Sequence, residues 1–168
     1  VLDPFRPSVQ PGGFASAFEM RADRDWHLAR VREMFETLDV FVFTLGLTEC
    51  WLSREDGAVF PICPGVEGGV FDPEKHVFHN MTVMEVVDDM KTVIDHLRSV
   101  NPTAEVLLTV SPVPLAATAQ PGAHVLSATT YSKAVLRAAA GMLSDADAKV
   151  HYFPSYEIIT SNASRGRY

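Results

Sequence analysis

The stretch Asp39-Val40-Phe41-Val42-Phe43-Thr44-Leu45-Gly46 decides the fold class of this chain. Its apolar and β-branched residues form one run without alternating polar positions, which is typical of a strand buried on both faces. Two further runs of the same kind follow, Glu105–Val110 and Val150–Phe153. Strands of this kind usually belong to parallel sheets, so we expect a mainly parallel sheet.

Helical patterns alternate with these strands. Apolar residues recur every three to four positions over 23–38, which predicts an amphipathic helix. Thr82 starts a capping box ahead of a helix over 83–100. A third helix is expected over 130–143, with Thr130 as its cap. The alternation predicts an α/β fold, a three-layer α/β/α sandwich with a mainly parallel sheet, as a single domain over residues 1–168.

Two stretches show no regular pattern. Residues 1–20 contain Pro4, Pro7 and Pro11 and are expected to form an extended loop. Residues 52–80 are interrupted by Gly and Pro, which predicts an irregular segment with one small hairpin. Long segments of this kind are often functional.

The composition excludes several classes of protein. The 14 Lys and Arg residues against 21 Asp and Glu residues give a net charge of −7, so we expect no nucleic-acid partner. The apolar runs fall far short of the roughly 20 residues that cross a bilayer, so we expect no membrane partner. Two cysteines, Cys50 and Cys63, suggest a reduced cytoplasmic protein. The start at Val1, without Met or a signal-peptide pattern, suggests a chain cut from a longer protein.

The residues that directly follow the strands are the candidate site. In open α/β sheets, ligands bind beyond the carboxyl ends of the strands. A Gly followed by small polar groups lets a backbone N–H approach a developing oxyanion, although an ordinary strand-to-loop turn uses the same residue types. The candidate oxyanion and substrate-binding residues are Gly46, Thr48, Glu49, Ser111, Tyr156 and Glu157.

Other conspicuous residues have simpler interpretations. Lys133 falls in the first turn of the expected third helix, where the helix dipole disfavours a cation; it is interpreted as solvated, with an anionic group facing it as the alternative. Trp26 and Trp51 are expected to pack at the core or its rim, with a sugar-stacking platform as the alternative for Trp51. His76 and His79 have the spacing of a metal pair, but no third ligand is indicated, so we expect no metal site.

Several ordered motifs resemble the bacterial GSCFA domain family. They are Pro4-Phe5-Arg6-Pro7, Phe41 to Glu49, Phe71-Asp72-Pro73, Thr109 to Leu115, Tyr131 to Arg137 and Tyr152 to Ile158. That family is similar to the SGNH/GDSL esterases, which carry a nucleophilic Ser in an N-terminal block and an Asp-x-x-His pair near the C-terminus. The resemblance implies that Gly46 to Glu49 occupy the place of the Gly-x-Asn-Asp block. Thr48 then stands where that block has its oxyanion-hole Asn, and its hydroxyl has one proton to donate.

The chain lacks the catalytic parts of that pattern. Neither a Gly-Ser-Cys-Phe-Ala motif nor an Asp-x-x-His motif occurs in the sequence. The resemblance therefore implies a nucleophile upstream of the chain and an Asp/His pair downstream, with no cofactor. We expect part of a serine esterase or acyltransferase for small-molecule or glycan O-acyl esters, inactive in isolation and open to self-association at exposed strand edges. The alternative is a non-catalytic module that binds a carbohydrate or a partner.

Overall fold

The structure, a computed structural model, describes residues 1–3, 5–6, 8–60, 62–66 and 69–162. Pro4 and Pro7 of the first resemblance motif lie outside the described residues. The helices are α1 (Ala17–Thr37), α2 (Val83–Val100), α3 (Val125–Ala146) and α4 (Ser155–Thr160). The strands are β1 (Val40–Leu45), β2 (Glu49–Ser53), β3 (Val59–Phe60), β4 (His76–Asn80), β5 (Glu105–Val110) and β6 (Val150–Phe153).

The three strands expected from the sequence form one parallel sheet in the order β1-β5-β6. Val40 pairs with Glu105 and Leu45 with Val110, so β1 and β5 end together. The parallel pairing of β5 with β6 continues this arrangement. A mixed α/β fold with a parallel sheet is therefore confirmed.

One face of this sheet carries the core. Leu108 of β5 is fully buried there, within a cluster formed with apolar side chains of α2 and α3. On the other face, Val42 is 58% exposed and Phe153 is 50% exposed. The described residues thus form two layers where three were expected, and the expected burial of β1 on both faces is wrong.

The segment after β1 is more regular than the sequence indicated. Instead of one small hairpin, it forms a second, antiparallel sheet of three strands in the order β3-β2-β4. Trp51 packs in this sheet against the rings of Phe71 and Phe78, at centroid distances of 5.1 and 5.6 Å. The expected packing of Trp51 is confirmed.

Helix α1 begins earlier than predicted because Ser16 caps it. The Ser16 hydroxyl accepts a 3.1 Å hydrogen bond from the amide of Glu19, so the expected loop over 1–20 ends before Ala17. The helix also buries less of its apolar face than an amphipathic helix was expected to bury. Met20 is its only buried residue among those described, and Trp26 is 68% exposed. The expected packing of Trp26 is therefore wrong.

Helix α2 confirms the capping box, with the carboxylate of Glu85 accepting the amide of Thr82 at 2.7 Å. Helix α3 begins at Val125 with His124 as its cap, so Thr130 lies inside the helix and does not cap it. Helix α4 follows β6 after Pro154, at a place where the sequence pattern predicted no helix. None of the described helices is both long and apolar enough to cross a bilayer.

Candidate functional site

The three predicted clusters meet at the carboxyl edge of the parallel sheet. The amide of Ser111 donates a 2.9 Å hydrogen bond to the carbonyl of Leu45, which joins the ends of β5 and β1. The hydroxyl of Ser155, the first residue of α4, donates to the carbonyl of Val110 at 3.0 Å. The residues that follow β1, β5 and β6 therefore share one edge, as the topology of a parallel sheet requires.

Helix α3 fixes the turn that follows β1. The Nζ of Lys133 donates a 2.8 Å hydrogen bond to the carbonyl of Gly46, and the amide of Thr48 donates to the hydroxyl of Ser132 at 2.8 Å. Thr48 and Ser132 are fully buried. A side chain at Gly46 would meet no described heavy atom within 4 Å, so open space lies beside this firmly held turn.

Lys133 is not solvated, contrary to the expectation from the sequence. Because α3 starts at Val125, Lys133 lies two turns into the helix, on its buried face, and is only 2% exposed. Burial lowers the pKa of its amine below the ordinary value. The helix-dipole argument was wrong because the start of the helix was misplaced.

Thr48 has both of its donors occupied. Its hydroxyl donates a 2.6 Å hydrogen bond to the Oδ1 of Asn80, in addition to the bond from its amide to Ser132. Its carbonyl accepts the amide of Met81 at 2.9 Å. The Nδ2 of Asn80 in turn donates to the Oε1 of Gln120 at 3.1 Å. Thr48 therefore connects the turn after β1 to the side chain at the end of β4.

Glu49 holds the loop between β5 and α3. Its carboxylate accepts the hydroxyl of Thr118 and, at 3.3 Å, the amide of Ala119. Ser111 begins the same loop, and its hydroxyl accepts the amide of Val113 at 3.2 Å. These two predicted site residues thus shape the loop that borders the site.

Tyr156 and Glu157 lie at the same edge but in a separate cluster. The carboxylate of Glu157 accepts hydrogen bonds from Arg137 at 2.5 Å and from the hydroxyl of Tyr152 at 2.7 Å. Burial raises the pKa of Glu157, but these two bonds outweigh it and hold the pKa below its usual value. Burial and the neighbouring carboxylate raise the pKa of Tyr152. Tyr156 is half-buried and packs against the core.

An open pocket of about 450 Å³ adjoins the Thr48 network. None of the described residues that line it carries a carboxylate, ammonium or guanidinium group. The lining residues are Asn80, Gln120, Ala123, Ser127, Ala128 and Tyr131. Sequence reasoning did not identify Asn80 as a site residue. The available signal was the pairing of β2 with β4, which places Asn80 opposite Glu49.

Among the described residues, no serine hydroxyl is hydrogen-bonded to the imidazole ring of a histidine. His79 instead pairs with Glu85 at 2.9 Å, and His151 pairs with Glu105 at 2.8 Å. His76 accepts the amide of Asp72 at 3.1 Å. Within the described ranges, no three His, Cys, Asp or Glu side chains are grouped so as to hold a metal ion.

The comparison with known families agrees with this arrangement of motifs around the strand ends. The profile of the GSCFA family matches residues 8–168. The chain belongs to the GSCFA family. No curated protein and no solved structure matches it. The GSCFA match includes all the candidate residues at the carboxyl edge of the parallel sheet and all the pocket-lining residues, from Gly46 to Glu157.

Proposed function

We propose that this GSCFA chain is the central part of a serine-dependent esterase or acyltransferase domain with an SGNH-hydrolase-like sandwich. Its substrate is an O-acyl ester of a glycan or small molecule. The nucleophilic Ser lies upstream of residue 1 and the Asp/His pair downstream of residue 168, so the isolated chain is inactive. The observation that carries this proposal is the turn from Gly46 to Thr48, held by Ser132 and Lys133 beside an open, uncharged pocket.

The proposed reaction needs such a rigid turn. The serine hydroxyl attacks the ester carbonyl carbon while the base takes its proton, and negative charge develops on the carbonyl oxygen. The sugar oxygen then leaves with that proton, and water or an acceptor hydroxyl releases the acyl group. Donors that are already fixed stabilise the developing charge without reorganisation. Buried hydrogen bonds at Gly46 and Thr48 provide this rigidity, and neither a metal nor an organic cofactor enters the scheme.

An uncharged pocket suits an acylated sugar. A phosphorylated or carboxylated substrate would call for a cation in the wall, and none of the lining residues that the structure describes carries a positive charge. The aromatic ring of Tyr131 and the amides of Asn80 and Gln120 supply an apolar face together with hydrogen-bonding groups. This combination is typical of sites that bind neutral polar ligands.

The experiment uses the longer protein that contains residues 1–168, treated with a fluorophosphonate probe. The proposal expects labelling of one Ser upstream of residue 1, and no labelling of the separate 168-residue chain. Failure of the folded longer protein to label would overturn the serine-hydrolase proposal.

A second candidate is a binding module without turnover. It is favoured because no serine hydroxyl in the described part of the chain is hydrogen-bonded to a histidine ring. Glycan arrays separate the two candidates. Retention of a glycan by the longer protein without loss of its acyl groups would favour binding alone, and deacylation would exclude it.

A further inference from the structure

We infer that the side-chain amide of Asn80 is the hydrogen-bond donor that this pocket offers to the carbonyl oxygen of a neutral O-acyl sugar, with Thr48 as its positioning residue. This inference rests on the proposed function and deepens it by assigning recognition of the acyl group.

The orientation of the Asn80 side chain is the first argument. Its Oδ1 accepts the buried hydroxyl of Thr48 at 2.6 Å, so its Nδ2 must point away from Thr48. The backbone amide of Thr48 donates to Ser132, which holds the main chain of the threonine in place. The carboxamide is therefore fixed from its oxygen side.

The unused donor is the second argument. A carboxamide nitrogen carries two N–H groups, and Nδ2 of Asn80 gives one of them to Oε1 of Gln120. The other has no partner among the described residues, and Asn80 lines the pocket of about 450 Å³. A donor of this kind binds a carbonyl oxygen at little entropic cost because the side chain is already ordered.

The distribution of donors is the third argument. Thr48 occupies the position at which the resemblance implied an oxyanion donor, yet both of its donors are used inside the protein. Of the two side chains bonded to Thr48, that of Asn80 is the one with an N–H group that has no partner among the described residues. We therefore assign recognition of the acyl carbonyl to Asn80 at the end of β4, and orientation of this donor to Thr48 after β1.

The test is an NMR titration of the chain with an O-acetylated methyl glucoside, alongside the same glucoside without the acetyl group. We expect the acetylated probe to bind more tightly and to shift the side-chain amide signals of Asn80. Asn80→Ala and the isosteric Asn80→Asp should weaken binding roughly three- to tenfold, the usual value of one lost hydrogen bond. Asn162→Asp, at an exposed position that does not line the pocket, is the matched control and should bind as the wild type does.

Variants of Thr48 test the positioning role. Thr48→Val removes the hydroxyl and should weaken probe binding about as much as Asn80→Ala does. Thr48→Ser keeps the hydroxyl and should bind the probe as the wild type does. A merely structural role for Thr48 would lower the midpoint of thermal unfolding without this pattern in probe binding.

The possible failures are distinguishable. Unchanged binding in the folded Asn80 variants would overturn the inference and leave the esterase proposal intact. Equal binding of both glucosides would show that the acyl group is not recognised, which overturns the inference and favours the binding module. If the wild type bound neither glucoside, the proposed substrate itself would be wrong, and the role of Asn80 would fall with it.

Discussion

The ammonium nitrogen of Lys133 and the carbonyl oxygen of Gly46 are joined by a 2.8 Å hydrogen bond across 87 residues of sequence. Lys133 is only 2% exposed and forms no ion pair with any described residue. Burial of an amine without a carboxylate partner opposes its charge, which is why the pKa of Lys133 is lowered. The bond thus positions the turn after β1 at a cost in stability.

Replacing Lys133 with Met should change the pH dependence of stability. The unfolded chain holds the proton up to the ordinary pKa of 10.5, whereas the folded chain releases it at lower pH. The free energy of unfolding of the wild type should therefore rise, relative to Lys133→Met, as the pH increases towards 10.5. Urea unfolding along an alkaline pH series measures this difference. Lys91→Met, at an exposed position on α2, is the control, and parallel curves for wild type and Lys133→Met would contradict the prediction.

Replacing Ser132 with Ala should leave the buried amide of Thr48 without an acceptor. We expect a loss of about 1–3 kcal/mol in the free energy of unfolding, the usual cost of an unsatisfied buried group. Ser144→Ala is the matched control, because the one described partner of the Ser144 hydroxyl is the carbonyl of Gly141 in its own helix. Chemical denaturation measures the loss, and hydrogen exchange should be faster at the Thr48 amide. Equal stability of the two variants would refute the role of Ser132.

Local sequence patterns were sufficient for the strands and for α2. Contiguous apolar runs predicted β1, β5 and β6, and the spacing of Thr82 predicted the start of α2. The start of α3 was missed because His124 is an uncommon cap. Lys133 was therefore assigned to the first turn of the helix, although it lies two turns after the observed start at Val125. Because the start of this helix was predicted wrongly, Lys133 was expected at the surface although it is buried.

The sequence predicted the position of the candidate site but not all of the residues that form it. The rule that ligands bind at strand ends identified the edge with Gly46 and Ser111. Asn80 reaches that edge through antiparallel pairing with Glu49, in a segment whose irregular composition predicted little regular structure. Contacts between separate sheets depend on tertiary packing, which local periodicity does not encode.

The ion pair between Arg98 and Asp147 should contribute to stability against acid. Hydrogen bonding by Arg98 holds the pKa of Asp147 below 3.8, and the amide of Lys149 adds a 2.9 Å bond. A lowered folded pKa stabilises the folded state above the unfolded value and loses this effect as the pH falls through the folded value. Asp147→Asn should therefore lower the midpoint of thermal unfolding at neutral pH, and by a progressively smaller amount as the pH falls below 3.8.

The same thermal measurement on Asp145→Asn provides the control, since Asp145 is an exposed neighbour on α3. A midpoint difference between Asp147→Asn and wild type that stays constant from neutral to acid pH would rule out the electrostatic explanation.

The open face of the parallel sheet should promote association of the isolated chain. Val42 is 58% exposed on this face. Within the part of the chain that the structure describes, β1 pairs with a strand on one side only, so apolar surface and an unpaired edge coincide. We expect oligomers that dissociate on dilution, measured by size-exclusion chromatography with light scattering. Val42→Lys should shift the population towards monomer, because a charge cannot be buried in such a contact without a large desolvation cost. Val113→Lys makes the same change at a 61% exposed loop position and should leave association unchanged. A wild-type chain that is monomeric at every concentration would show that this face and edge do not associate.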